Sequence, residues 1–476
     1  MRRAGDATPR LRLAAELGAW ALIWGAVLAG LGCKSEPPRR PEAAMETVRF
    51  AVVDPGHYHA ALILKDMYPQ VAPQVAVYAP LGPELADFVN RVSLFNARPE
   101  NPTRWELDIH AGGGFFERML QERPGNVAVF AGKNRQKIER IVRCIGAGYH
   151  VLADKPWIIA SADLPMLEQA LNAAESKGLV AYDVMTERYE ITSILQRELV
   201  NTPEVFGELL KGSAEAPAIT ARSVHHLMKT VSGLPLRRPT WFFNIEESGE
   251  GIADVGTHVV DLVQWTAYPS ERLDYRKDVQ LLSARRWTTP LSREQFRQVT
   301  GEPDFPQHLS KWVHGDRFDY YCNTAVHYAL RGTHVSLEIL WNWEAPAGAG
   351  DMYEATFRGS RASIEIRQGK EENYRPELYV RPARPELREE VFAALKKSVD
   401  GLARQWPGLE VVLQGQRAKI SIPEKYREGH EEHFARVTAA FLGYLKNPKT
   451  LPAWEKDNML LKYYICTRGV ELARGS

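Results

Sequence analysis

The sequence predicts an α/β protein: a Rossmann-type, doubly wound parallel sheet on the N-terminal side, then an α/β domain with a large, mostly antiparallel open sheet. Three observations carry this. Short apolar runs alternate with helical stretches from Val48 to Ala153, the mark of parallel βα units. At 476 residues the chain exceeds what one hydrophobic core usually supports. Further on, Phe357-Arg-Gly-Ser-Arg-Ala-Ser-Ile-Glu-Ile-Arg367 alternates apolar and polar side chains, as a hairpin pair of an open sheet does.

The first 46 residues stand apart. Arg2, Arg3, Arg10 and Arg12 precede an uncharged run from Leu17 to Gly32 that ends at Cys33, an export-signal pattern. Leu28-Ala-Gly-Leu-Gly-Cys33 resembles a bacterial lipobox, with Gly30 where that pattern prefers Leu. Lys34 to Ala44, with Pro37, Pro38 and Pro41, reads as a spacer. The expectation is an exported protein, periplasmic or membrane-anchored as a lipoprotein, touching a membrane only through its N-terminus. Lipidation and simple signal cleavage both stay open.

From Val48 the elements follow in order. Val48 to Val53 reads as a strand, Asp54-Pro-Gly-His-Tyr-His59 as a turn and Ala60 to Met67 as a helix; Gln74 to Tyr78 and Asn126 to Gly132 are further strands. The helix Arg135 to Ile145 and the strand His150 to Ala153 complete the series. The expected division is 1–46 as signal and linker, 47–156 as dinucleotide-binding domain and 157–476 as substrate domain with closing C-terminal helices. With 60 Lys and Arg against 59 Asp and Glu, no global field would recruit nucleic acid, so small neutral ligands fit best. Cys144, Cys322 and Cys466 have no paired spacing and read as buried thiols.

Parallel sheets bind ligands at their strands' carboxyl ends. There the turn after the first strand supplies only Gly56 of the glycine fingerprint, flanked by Asp54 and His57. The second strand ends in Ala79, where a ribose-binding acid would stand, so NAD and NADP are both open. A metal reading of His225-His226 or of Asp254, His258 and Asp261 ranks lower, because adjacent residues of a strand face opposite sides and no zinc-ligand spacing occurs. No metal site is expected.

Two motifs carry the chemistry. Ala147-Gly-Tyr-His-Val-Leu-Ala-Asp-Lys-Pro156 ends in Asp154-Lys155-Pro156, and Gly249-Glu-Gly-Ile-Ala-Asp-Val-Gly-Thr-His-Val-Val-Asp-Leu262 spaces Asp254, His258 and Asp261 so that a helix would set all three on one face. Both resemble the glucose-fructose oxidoreductase / inositol dehydrogenase family, the first its AGKHVLCEKP segment and the second its D-x-G-x-H-x-x-D motif. The resemblance runs from about Val48 to the end, with Asn134 retained from the family's T-P-N-x-x-H and Lys137 in place of its histidine.

What the resemblance implies is an NAD(P)-dependent oxidoreductase acting on a sugar or polyol. His258 would take the proton from a substrate hydroxyl, Lys155 would hydrogen-bond the same oxygen, and Asp254 would orient His258. Asp54, Gly56, His57, Asn134 and Lys155 would meet the cofactor, and Arg188, Tyr189, His225, His226 and Asp261 the substrate. A homo-oligomer is expected. Two other functions are carried forward: glycoside cleavage or epimerisation by transient oxidation with a retained nicotinamide, and a non-catalytic sugar-binding lipoprotein.

Overall fold

The computed structural model describes residues 47–231, 234–346 and 349–475. The signal, lipobox and spacer fall outside them. Among the described residues no helix is long and apolar enough to cross a membrane.

Six parallel strands form the first sheet: β1 (Phe50–Val53), β2 (Gln74–Ala79), β3 (Glu106–Ala111), β4 (Val127–Phe130), β5 (His150–Ala153) and β6 (Ala181–Asp183), in the spatial order β3-β2-β1-β4-β5-β6. Between them run α1 (His59–Leu62), α2 (Pro83–Ala97), α3 (Phe115–Glu122), α4 (Lys137–Gly146) and α5 (Leu164–Ser176). Strand period two divides the buried side chains between the faces. Phe50, Val52, Val77 and Val129 join one core, whereas Ala51, Val53, Ala128 and Phe130 join the other. A late helix, His430–Lys446, returns to the first face with Phe434, Val437 and Phe441.

Three expectations change here. The strand β3 was not foreseen, because it is an edge strand whose Glu106, Asp108 and Ala111 stay exposed, so it lacks the apolar run that marks the inner strands. The parallel sheet continues to β6, past the boundary expected at Pro156. The first helix stops at Leu62 instead of Met67: Leu64 N–H bonds the Ala61 carbonyl and Lys65 N–H that of Leu62, the tighter three-residue pattern.

A ten-stranded sheet forms the second layer, nine of its strands ordered 279–292, 317–330, 333–344, 219–228, 352–358, 362–367, 377–382, 417–421, 410–414 and the tenth, Val313–His314, pairing with 317–330 off that path. Its pairings are antiparallel except 333–344 with 219–228, and the expected hairpin appears as Met352–Arg358 with Ala362–Arg367. The C-terminal helix Glu455–Gly475 sends Met459, Leu460 and Tyr463 into a core of the first sheet and Leu461, Ile465 and Val470 into that of the second. Cys144, Cys322 and Cys466 are free, buried thiols, as expected.

Candidate active site

The turns after β1 and β4 meet at the sheet's carboxyl end, where the strand order reverses. They approach so closely that a Cβ on Gly132 would lie 2.4 Å from the Asp54 carbonyl oxygen and 2.9 Å from the Gly56 nitrogen; only glycine fits there. Asp54 takes φ of 48°, the left-handed conformation that the fingerprint normally gives to its first glycine. Its carboxylate is held by Arg140 of α4 at 2.7 Å, and the Arg140 guanidinium also covers the rings of Phe115 and Phe116. Beside this pair runs an open groove of about 240 Å³ lined by Gly114, Phe115, Gln136, Arg140 and Arg143.

At the end of β5 the chain turns through Asp154 and Lys155. Lys137 donates from Nζ to the carbonyls of Asp154 and Pro156, both at 3.0 Å, and so grips the backbone on either side of Lys155. Burial pushes the Lys137 ammonium down to about 8, against the pull of Asp154 and Asp183. The Lys155 ammonium donates to Asp254 Oδ1 at 2.5 Å. Burial alone would lower it, but the carboxylates of Asp254 and Asp154 outweigh that and hold it above the ordinary lysine range. His258 is partly exposed, with a buried Nδ1 that has no partner. Burial, then the nearby Lys155 and His430, push it well below the usual histidine value, so it stands as a neutral base.

Lys155, Asp254 and His258 thus occupy one site, but Asp254 orients Lys155 and not His258. The reason is local. Between Gly251–Asp254 and Gly256–Ala267 Val255 keeps helical dihedrals but the turn tightens, with His258 N–H bonding the Val255 carbonyl in the three-residue pattern, and the Asp254 carboxylate meets Lys155.

The remaining residues singled out in the sequence divide sharply. Asn134 donates from Nδ2 to the Ser248 carbonyl at 2.8 Å and leaves its buried Oδ1 free, tying the β4 turn to the segment before Gly249. His57 lies on the β1 turn, 3.6 Å from Asp154. Arg188 and Asp261 do not face an open cleft. They form a buried bidentate pair at 2.6 and 2.7 Å, and the other side of Arg188 binds Glu455 at 2.8 and 2.9 Å, while Lys462 bridges Asp261 and Asp183. This network anchors the C-terminal helix, and four of the five N–H donors of the buried Arg188 are committed to it. Tyr189 packs against the first core near Tyr182 and Tyr444. His225 and His226, expected on opposite faces, both reach Asp351, with Nδ1 at 3.0 and 3.4 Å, because the carboxylate sits beyond the end of the paired strand and is shared with Lys229.

Several participants escaped the sequence reading. His59 donates or accepts at 2.8 Å with Asp154, so that His57, His59 and Asp154 converge as a possible ligand set that the reading of no metal site did not weigh. Glu187, partly exposed, is pushed up to about 7, first by burial and then by Glu190. Trp241 packs 3.6 Å from where a Cβ on Gly56 would stand, and its buried indole N–H has no partner. Only Lys137 carried a signal, as a departure from the family pattern.

Comparison with known proteins came to the same architecture. The family model "Putative oxidoreductase C terminal domain" matches residues 195–474. A crystal structure described as a putative oxidoreductase from Parabacteroides merdae is 45% identical, with a TM-score of 0.88, covering 91% of this chain and 98% of its own. A levoglucosan dehydrogenase in complex with NADH is 13% identical at a TM-score of 0.56, covering 90% of this chain and 97% of its own. A putative myo-inositol dehydrogenase from Sinorhizobium meliloti is 12% identical at 0.52, covering 90% and 98%. These last two share the fold. No curated protein matches. With that domain model matching more than half of the chain and a relative alike along nearly its whole length, the chain belongs to the oxidoreductase family that the model describes.

Proposed function

We propose that this oxidoreductase transfers hydride between a hydroxyl-bearing carbon of a sugar or polyol and the nicotinamide of NAD or NADP. The observation that carries the reading is the charged Lys155, paired with Asp254 at 2.5 Å, beside the neutral, partly exposed His258.

The residues present fit a dinucleotide. Beside the β1 and β4 turns, Asn134 Oδ1 and Trp241 Nε1 are buried polar atoms without a partner in the chain, and such atoms are costly unless a ligand completes them. Asp54, Gly56, Asn134 and Lys155 would hold the nicotinamide half, and the groove between Phe115 and Arg140 the adenosine half. A bound nicotinamide supplies the hydride acceptor or donor. Ala79 closes β2 without an acid, which leaves both cofactors admissible.

The protein's own part is proton and charge. His258 receives the hydroxyl proton, for which a neutral imidazole is required. The Lys155 ammonium hydrogen-bonds the same oxygen and stabilises its developing negative charge in a site shielded from bulk water. Asp254 keeps that ammonium charged and aimed. Mass spectrometry of nucleotide released from the native protein, with calorimetry of NAD and NADP, tests the cofactor, and His258→Ala, expected to lose about 10²- to 10⁴-fold in turnover while keeping its nucleotide, tests the base. A preparation free of nucleotide and silent to both would refute the reading.

The reading includes export, supported by Arg2, Arg3, the apolar run and Cys33. Fractionation and intact mass test it; a full-length cytoplasmic chain would refute it.

A further inference from the structure

Three ligand-type side chains converge beside, but outside, the Lys155–Asp254–His258 group. His57 and His59 turn their Nδ1 atoms toward Oδ2 of Asp154, at 3.6 and 2.8 Å, and the ligand atoms of all three lie within 4.8 Å of one another. A purely structural contact would need one histidine. Here two are aimed at a single carboxylate, and between them only His59 makes a hydrogen bond; His57 Nδ1 and Asp154 Oδ1 remain buried without partners. One further group placed between the three would satisfy both.

The spacing suits a metal ion. Ligand atoms about 2.0–2.2 Å from zinc at tetrahedral angles lie roughly 3.3–3.5 Å apart, a spacing that the 3.6 and 2.8 Å separations from Asp154 Oδ2 straddle. The exposure is also uneven: the His57 side chain is 20% exposed, against 6% for His59 and 5% for Asp154. Three protein ligands with one accessible side is the arrangement of an open site, unlike the closed four-ligand structural kind. The neighbouring cations are each committed elsewhere. Lys155 is neutralised by Asp254, Lys137 is bound to two carbonyls, and Arg238 donates to the carbonyls of His226 and Leu227 while stacking on Phe242 and Trp341. Asp154 is therefore left with an uncommitted oxygen for an incoming cation.

We propose that His57, His59 and Asp154 form a three-ligand site for a late first-row divalent cation of the zinc class. Two imidazoles and a carboxylate suit such an ion better than magnesium or calcium, which prefer all-oxygen shells. The ion ties the turn after β1 to the strand end that carries Lys155, and its open position lies on the side of the cleft that His57 exposes. It does not depend on the nucleotide.

The test uses the full chain without an affinity tag, stripped with a chelator and titrated with Co²⁺ as a spectroscopic stand-in for Zn²⁺. The expected result is saturable uptake of one equivalent with the visible absorption of low-symmetry Co²⁺, displaced by one equivalent of Zn²⁺. His57→Gln should lower the affinity by on the order of 10²-fold, as loss of a zinc ligand's contribution does. His57→Cys, which keeps a ligand, should bind and add a thiolate charge-transfer band, so the assignment stands even if His57→Gln misfolds. No uptake by the wild type, or Co²⁺ spectra unaltered in both variants, would overturn the proposal. Nucleotide released from the same preparation is scored separately, so failure of the metal site leaves the cofactor reading intact, and the reverse.

Discussion

Lys155 and Asp254 come from different halves of the chain, and separating their contributions tests the site directly. Their side chains are 8% and 20% exposed, so the ion pair is largely removed from water. Removing one partner from a buried pair costs about 3–5 kcal/mol, because the survivor keeps an uncompensated charge. Asp254 has the better access to solvent, which places Lys155→Met near the lower figure, whereas Asp254→Ala strands a more deeply buried ammonium and falls near the upper one. The double variant removes both charges, so its loss should be smaller than the sum of the singles, with a coupling of about 1–3 kcal/mol. The pH dependence has a definite sign. Because the folded Lys155 is raised above the ordinary lysine value, the pair's contribution is fully present below about pH 10.4 and is lost only as pH rises through the raised folded value. In Asp254→Ala, burial is opposed only by Asp154 and Tyr58, the Lys155 value falls, and the alkaline limb of turnover moves to lower pH. Urea unfolding at pH 7 gives the stability terms, and turnover against pH gives the limb. Additivity of the two single variants within about 0.5 kcal/mol, or an alkaline limb unmoved in Asp254→Ala, would refute the pairing.

Lys137→Met removes both hydrogen bonds that flank Lys155, and a small displacement of a catalytic group costs on the order of 10²-fold in turnover; kcat should fall while nucleotide retention, read by mass spectrometry, stays. Glu187, pushed up to about 7, makes folding less favourable as pH rises from the ordinary carboxyl range to 7, so Glu187→Gln should raise stability at pH 8 by about 2–3 kcal/mol and leave it unchanged at pH 4. Melting curves at the two pH values decide it, and equal shifts at both would count against the buried carboxyl. Arg188→Met leaves Glu455 without its partner and Asp261 with Lys462 alone, and should cost about 3–5 kcal/mol in chemical unfolding; a stable variant with a selectively raised KM would instead make Arg188 a substrate contact.

The inner strands were legible because burial on both faces writes itself as a short continuous apolar run: His150 to Ala153 appears in the structure with the same limits. The edge strand β3 was not, since Glu106, Asp108 and His110 face outward and no such run exists. In the candidate site, Lys155, Asp254 and His258 were singled out through motif resemblance, but their mutual geometry was not legible. Helical spacing predicts a shared face only while the turns stay regular; at Val255 the turn tightens, and Asp254 pairs with Lys155, a residue 99 positions away. Arg188 and Asp261 were misplaced for a related reason: in sequence, a charge that seals an interior network looks the same as one that meets a ligand. Its partners Glu455 and Lys462 lie near the chain's other end, so nothing local announces the pairing.

The glycine fingerprint shows where such reading runs out. What a tight turn requires at its first position is a backbone in the left-handed region, and glycine is the usual means because other residues meet a steric penalty of about 1–2 kcal/mol there. Asp54 adopts that conformation, and its carboxylate is fixed by Arg140, 86 residues on, at 2.7 Å. A partly buried charge-assisted hydrogen bond of this kind is worth about 1.5–3 kcal/mol, enough to offset the penalty. The turn is thereby kept without its glycine, and Arg140 is the same side chain that lines the groove beside it. The third position follows the same logic: His59 replaces a glycine whose absence would normally push helix from sheet, yet α1 is a single turn and the imidazole is buried against Asp154. The fingerprint has been exchanged for polar contacts made across the fold, and those contacts bring His57 and His59 to Asp154, next to the lysine on which turnover is proposed to depend.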